Sequence, residues 1–434
     1  MTEVTTGRLV ARVLRAAGID AVYGRPLPGV DVVDVPDERV ASLMAAAHQR
    51  VHRRTAAVHE GRGDLAVGLT RAPARSEVAT IGDLLDAVPL LASGAAWLRL
   101  ALDVDAPAPD VTPPRPAPPD RWLTPADDLL DGVRGAERPV VLAGPGVVAD
   151  GAVPGLHALA AAGGLGVLNT WGAKGVFDWR SRHHLATAGL QEHDFALAGF
   201  GDADLILATG VDPEEAPAPL WAGLAPVAEV APGALGPLAE RWVRPLAEIP
   251  MPALRTELAR VTQEGWNATT TPLAPSLVTR HYAQALGAGG LVAADPGVAG
   301  YWVARTFATT DLGVVQVPAA VGTSGFAVAC AVVARLRSPC RPVLAVVDGP
   351  APGAAGGPTE AALATASRLG VAVPLAVWDG DGPRLSPEDH IARLQAAVVA
   401  ESPEPIVLAT DPAQLDRMVA AAGEVVAWGG LDTV

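Results

Sequence analysis

An α/β fold of three consecutive doubly wound parallel-sheet domains is what this chain predicts, and three observations carry the prediction. Short apolar runs of strand length alternate with helical stripes. The alternation restarts twice, after breaks rich in proline. At 434 residues, half of them hydrophobic, the chain is long enough to bury two or three separate cores.

The first domain is predicted over residues 1–105. Leu9, Val10, Val13, Leu14 and Ala17 recur at helical spacing and Gly18 closes the stripe, so Thr6–Ala17 reads as a helix. Ile19–Tyr23 is a short strand and Gly24–Gly29 a turn. Val32–Val35 reads as a further strand, followed by Asp37, Glu38 and an Ala-rich helix through His48. A strand at Leu65–Leu69, a loop at Thr70–Arg75, a helix at Ile81–Ala87 and a strand at Trp97–Leu102 complete the domain. Seven prolines lie between Asp103 and Asp120, so residues 106–122 are predicted to be an extended linker.

The second domain, 123–262, opens with a helix near Asp127–Val133. Strand Pro139–Ala143, the turn Gly144-Pro145-Gly146, helix Val153–Ala162, strand Val167–Thr170 and strand Leu205–Ala208 follow. His183 and His184 read as turn residues. A Pro-rich region from Pro213 to Pro252 and the polar stretch Gln263–Pro275 lead into the third domain, 263–434. There the predicted elements are helix Leu277–Leu286, strand Leu291–Ala294, helix Thr323–Ala334, and strands Val343–Val347, Pro374–Val377 and Ile406–Leu408. Trp302, on a further helical stretch, reads as core.

Composition excludes several classes. Net charge is −15, from 47 acidic against 32 basic residues, with no basic stripe, which argues against nucleic acid. No apolar run reaches the roughly 18–20 residues of a membrane span. The amino terminus lacks the apolar core of a signal peptide, so a cytoplasmic protein is expected. Cys330 and Cys340 are too few for a disulfide framework and read as packing residues. The nine histidines show no metal-ligand spacing.

The stretch with most chemical content is Arg341–Gly357, RPVLAVVDGPAPGAAGG. A buried parallel strand ends at Asp348-Gly349, and a loop leads to a helix starting near Pro358 and Thr359. A carboxylate at the carboxyl end of such a strand, beside a helix amino terminus, is where α/β sheets hold phosphorylated ligands. Read alone, the stretch is equally a βα turn containing an Asp.

Several segments together resemble a known family. TGRLVARVLRAAGIDAVYGRPLPG (Thr6–Gly29) looks like its opening helix, strand and glycine–proline turn, with Gly24 and Pro26 in the turn. PDERVASLMAAAHQRV places Glu38 on the family's glutamate, and LTRAPARSEVATIGDLLDAVPLLA resembles the next segment. RPVVLAGPGVVADG, NTWGAKGVFDW and DADLILATGVD look like a central domain. AADPGVAGYWVAR and VGTSGFAVACAV, the latter with Gly322 and Gly325, precede VVDG on the metal motif. The chain thus resembles the thiamine diphosphate enzymes of the acetolactate synthase, benzoylformate decarboxylase and pyruvate decarboxylase type, as a shortened and divergent member.

The resemblance implies pyrimidine-binding, central and diphosphate-binding domains, and a homodimer or homotetramer with its site between subunits. It implies thiamine diphosphate and Mg²⁺ acting on a small 2-oxo acid by decarboxylation or carboligation. Glu38 is then the catalytic carboxylate on the aminopyrimidine. Read from spacing alone it is a helix-start Glu favoured by the macrodipole. Gly24, Pro26, Gly322, Gly325, Asp348 and Gly349 would contact the cofactor. Asp348 and Asp379 would hold the metal. Asp379 or Asp381 stands where the family has an asparagine, and Asp-Gly-Asp-Gly is as much a turn as a ligand set. The central domain reads as scaffold rather than a site for FAD or another nucleotide.

Departures point the other way. Val347 replaces a motif glycine, and Pro350 and Pro352 lack the N–H groups that would cradle a diphosphate. Arg71 and Ala72 replace a glycine-containing turn. The segments that would cover the substrate after Leu91 and after Gly382 are short, which weakens water exclusion. A second expectation therefore stands beside the first: a catalytically degenerate homologue serving as assembly or regulatory partner of an intact enzyme.

Overall fold

A computed structural model describes residues 3–61, 63–67, 74–94, 96–116, 127–242, 248–350 and 357–431. The α/β class holds, with three sheets built largely of parallel strands. The chain divides into two compact units: Met1–Pro119 with Val332–Pro339 and Ala355–Val371, and Asp120–Ala331 with Cys340–Ala354 and Ala372–Val434.

The first unit holds β1 (Glu3–Thr5), β2 (Ile19–Gly24), β3 (Val33–Asp34), β4 (Thr55–Gly61), β5 (Asp64–Val67), β6 (Ala74–Val78), β7 (Ala96–Leu100) and β8 (Pro107–Pro109). Six of these form a sheet in the order β3-β2-β4-β5-β7-β6. The sheet is not wholly parallel, because β5 runs antiparallel to both β4 and β7. The sequence does not predict β4, whose Ala, His and Glu carry little strand propensity. Arg75, expected in a loop, lies in β6 opposite Trp97 and stacks over its ring. Arg71 and Ala72 lie outside the described residues. The start of the expected linker is itself a strand, since β8 pairs with β1.

Local signals set the helices of this unit. Thr5 caps Thr6–Ala16 through the Arg8 N–H, and Asp37 caps Glu38–His52 through Val40. Leu9, Val13 and Leu14 pack with Val22, Leu65 and Leu98 into one apolar core. A polar chain runs through its edge: Tyr23 Oη lies 2.9 Å from His48 Nδ1, and His48 Nε2 lies 2.7 Å from Asp20.

The second unit contains two five-stranded parallel sheets. The first comprises β9 (Pro139–Ala143), β10 (Val167–Thr170), β11 (His184–Ala188), β12 (Leu205–Thr209) and β13 (Val227–Glu229), ordered β11-β10-β9-β12-β13. The second comprises β14 (Leu291–Ala294), β15 (Val315–Gln316), β16 (Val343–Asp348), β17 (Leu375–Trp378) and β18 (Ile406–Leu408), ordered β15-β14-β16-β17-β18. Their central strands are fully buried apolar runs, as strands covered on both faces require. Trp302 is 0 % exposed and lies in the core, as does Cys330. Cys340, expected to pack, is exposed instead. No helix among the described residues is long and apolar enough to cross a membrane.

In each sheet the winding direction reverses beside its first strand, which opens a crevice at the carboxyl edge. Between β9 and β12 that crevice is filled by main chain. Gly144 N–H donates to the Thr209 carbonyl at 2.9 Å and Gly146 N–H to the Gly210 carbonyl at 2.8 Å. A Cβ on Gly144 would sit 2.3 Å from the Gly210 oxygen, so glycine is needed for two loops to touch. Gly144→Ala is expected to cost about 2 kcal/mol or more in chemical denaturation. A loss of only a few tenths would mean that the loops separate freely.

Candidate cofactor site

Between β14 and β16 the equivalent crevice carries acids. Asp295 follows β14 and Asp348 ends β16, on neighbouring strands. Asp295 is 5 % exposed and accepts N–H bonds from Gly325 and Ala327, both at 2.7 Å. It therefore anchors the start of the Phe326–Arg337 helix, which begins later than the predicted Thr323. Gly325, expected at the cofactor, has φ +88° and spends its N–H on Asp295. Gly322 has φ +71° and marks the bend before it.

Asp348 is tied to the Val298–Thr306 helix. Both its oxygens accept from the Ala299 N–H, at 3.0 and 3.1 Å, and the Val298 N–H also contributes. Gly297 is the N-cap position and offers no side chain, so Asp348 performs the capping from another strand. Gly297 has φ +141°, and a Cβ there would lie 2.3 Å from Asp348 Oδ2. The acid and the glycine are thus one device.

The residue keeps an exposed edge, while its carboxyl lies among protein atoms. Desolvation first, and then the Asp295 charge, push it up to about 7, with the two N–H groups opposing. Water at the exposed edge works against the full effect.

Asp379 follows β17, whose Trp378 pairs with Asp348, so the two acids leave the same sheet edge on adjacent strands. Such strands lie about 4.8 Å apart. Asp379 Oδ1 accepts the Asp381 N–H at 3.1 Å, and the Gly382 N–H donates to the Asp379 carbonyl at 2.9 Å. The turn expected at Asp-Gly-Asp-Gly is therefore formed around Asp379. Gly349 has φ +109° and bonds the Trp378 carbonyl, turning the chain away from the sheet. Pro350 is exposed, while Pro352 falls outside the described residues. Among the described residues no group of three or more His, Cys, Asp or Glu is arranged to hold a metal. Two carboxylates supplemented by phosphate and water oxygens are of the donor type that Mg²⁺ takes.

In the first unit, Glu38 is the first residue of its helix and is exposed. Its charge and that of Asp64 add to desolvation in raising the Glu60 carboxyl, so three acids share one neighbourhood. Sequence reasoning missed Glu60, because β4 was not predicted. Gly24 has φ +119°, and a Cβ there would meet the His59 carbonyl at 2.3 Å. Gly24 and Pro26 thus form a turn lying against β4, with His59 Nδ1 2.7 Å from the Arg25 carbonyl.

Asp295 lies in the AADPGVAGYWVAR segment that carries the resemblance, but its bonds to Gly325 and Ala327 have no signal in the sequence. Neither do the buried pairs between distant segments, such as Arg305 with Asp194 at 2.8 Å.

Residues 126–230 match the family described as thiamine pyrophosphate enzyme, central domain. The matched stretch carries all five strands of the sheet that begins at Pro139. No curated protein matches the chain.

Proposed function

We propose that this chain binds thiamine diphosphate with Mg²⁺ and acts on a small 2-oxo acid by decarboxylation or carboligation, as a cytoplasmic homodimer or homotetramer. The observation that carries the reading is the pair Asp348 and Asp379, released from the adjacent strands β16 and β17 at the carboxyl edge of the sheet, with Asp348 on the strand that borders the winding reversal. Asp348, Asp379 and the Gly349 turn would hold the cation. Gly24, Pro26, Gly322 and Gly325 would shape the main chain around the cofactor. Bound thiamine diphosphate supplies a nucleophilic carbon for the 2-oxo acid carbonyl. Glu38 would hold the proton on the cofactor's aminopyrimidine, covered by a second subunit because this chain leaves it exposed.

One specific observation favours a second reading. Both Asp348 oxygens already serve the Val298–Thr306 helix, and Pro350 has no N–H to offer a phosphate. A homologue that keeps the fold as an assembly or regulatory partner would look like this.

Calorimetric titration of thiamine diphosphate with Mg²⁺ near pH 8 separates the two. Saturable heat is expected, weakened roughly tenfold or more (at least 1.4 kcal/mol) by Asp348→Ala and by Asp379→Ala. No heat at millimolar ligand would leave only the partner role.

A further inference from the structure

A cavity of about 180 Å³ lies between β11, the Ala253–Trp266 helix and the end of the Val298–Thr306 helix. It is separate from the acids described above, and its lining is cationic. Lys174, Arg255 and Arg305 all border it, together with His184.

Lys174 is 7 % exposed, and among the described residues its ammonium bonds only the Thr187 hydroxyl, at 3.4 Å. No acidic side chain among the described residues pairs with it. Arg305 gives its terminal nitrogens to Asp194 and to the Thr187 carbonyl, but its Nε is buried without a partner. His184 Nδ1 is likewise buried without a partner. Arg255 spends both terminal nitrogens on the carbonyls of His184 and Trp179 and keeps its charge at the site.

Such an arrangement is costly in the absence of an anion. An ammonium and two orphaned polar nitrogens removed from water each cost free energy unless something accepts their bonds. The strain shows in the titration of the groups. Desolvation first, and then Arg305, push the Lys174 ammonium down to about 7. Desolvation, Lys174 and Arg255 push His184 down to about 3, against a weaker pull from Asp178. Asp178 is committed to Arg180 at 2.8 Å and Asp194 to Arg305, so neither neutralises Lys174. Leu258, Phe307, Trp179 and Trp266 supply apolar and aromatic wall, beside the polar Thr262, Gln263 and Thr306.

We propose that this cavity binds a small organic anion, a carboxylate or phosphate carried on a compact apolar body, with Lys174 and the Arg305 Nε–H donating to its oxygens. The cations meet the charged end, and the aromatic walls hold the body. The site is independent of thiamine binding and would persist if that reading failed.

Titration of the full chain with benzoate and with phenyl phosphate tests the proposal. Saturable binding of one or both is expected, and the tighter probe identifies the headgroup. Lys174→Met should weaken it at least tenfold without lowering the melting temperature, because the variant removes a buried charge. A second readout needs no variant. Benzoate stays charged throughout, so its affinity should fall about tenfold between about pH 6 and about pH 8 as free Lys174 loses its proton. Arg305, whose value is raised against desolvation by Asp194, stays charged and His184 stays neutral over that range. No binding of either probe at about 10 mM, or unchanged binding in Lys174→Met, would overturn the assignment.

Discussion

Asp194→Ala is expected to destabilise the second unit by about 3–5 kcal/mol. The Asp194 carboxylate and the Arg305 guanidinium are both 0 % exposed and meet at 2.8 Å through two oxygens. Asp194 also accepts the N–H groups of Leu190 and Gln191. Removing it leaves a guanidinium in the interior with no counter-charge and frees two main-chain donors. The penalty is therefore mostly that of the stranded partner. Around the pair, Gln191 donates to the Met418 and Gly423 carbonyls and accepts from Tyr301 Oη at 2.7 Å. The matched central segment and the sheet that begins at Leu291 are thus joined through buried polar bonds as well as apolar packing. Thermal unfolding should register a fall of roughly 6–15 °C. The double variant Asp194→Asn/Arg305→Met should recover at least half of the loss, because neither charge then remains buried alone. A fall of a degree or two in Asp194→Ala would show that water reaches Arg305.

How much of this was legible depended on whether the signal was local. Strands Pro139–Ala143, Val167–Thr170, Leu291–Ala294 and Ile406–Leu408 stand where their apolar runs place them, because Gly, Pro or polar residues bound each one. β4 and β11, TAAVHEG and HLATA, lack both alternation and a long apolar run and escaped prediction. The Ala253–Trp266 helix was hidden because its last turn, with Gln263 and Glu264, reads as part of a polar connection. In the candidate site, Asp348 and Asp379 were found from strand ends. What Asp348 touches could not be, since Ala299 lies 49 positions away. Lys174 was visible only as part of a glycine-rich segment. That no acid among the described residues faces it follows from β11 and two helices packing around it, which no spacing in the chain announces.

Asp348→Asn is expected to stabilise the ligand-free chain at pH 8 while leaving it unchanged near pH 4. In the unfolded chain an aspartate titrates near about 3.9, whereas crowding and Asp295 hold the folded Asp348 up at about 7. Between those values the native state binds the extra proton. The stability Asp348 contributes is then complete below about pH 4 and is lost as the pH rises through 7. The exposed edge of the residue screens this effect, so the gain at pH 8 should be on the order of 1 kcal/mol rather than the full shift. Asp20 and Asp178 have lowered values and act in the opposite direction, but both remain in wild type and variant and cancel in the difference. Asparagine keeps an oxygen for the Ala299 N–H, so the helix cap survives the exchange. Mg²⁺ should then raise the melting temperature of the wild type at pH 8 more than at pH 6, since proton and cation compete for one carboxylate, and should leave Asp348→Asn unmoved. A variant less stable than wild type at pH 8 would mean that the charged cap, and not its desolvation, dominates at this position, and Asp348 would then be a structural acid rather than one poised to exchange its proton for a metal.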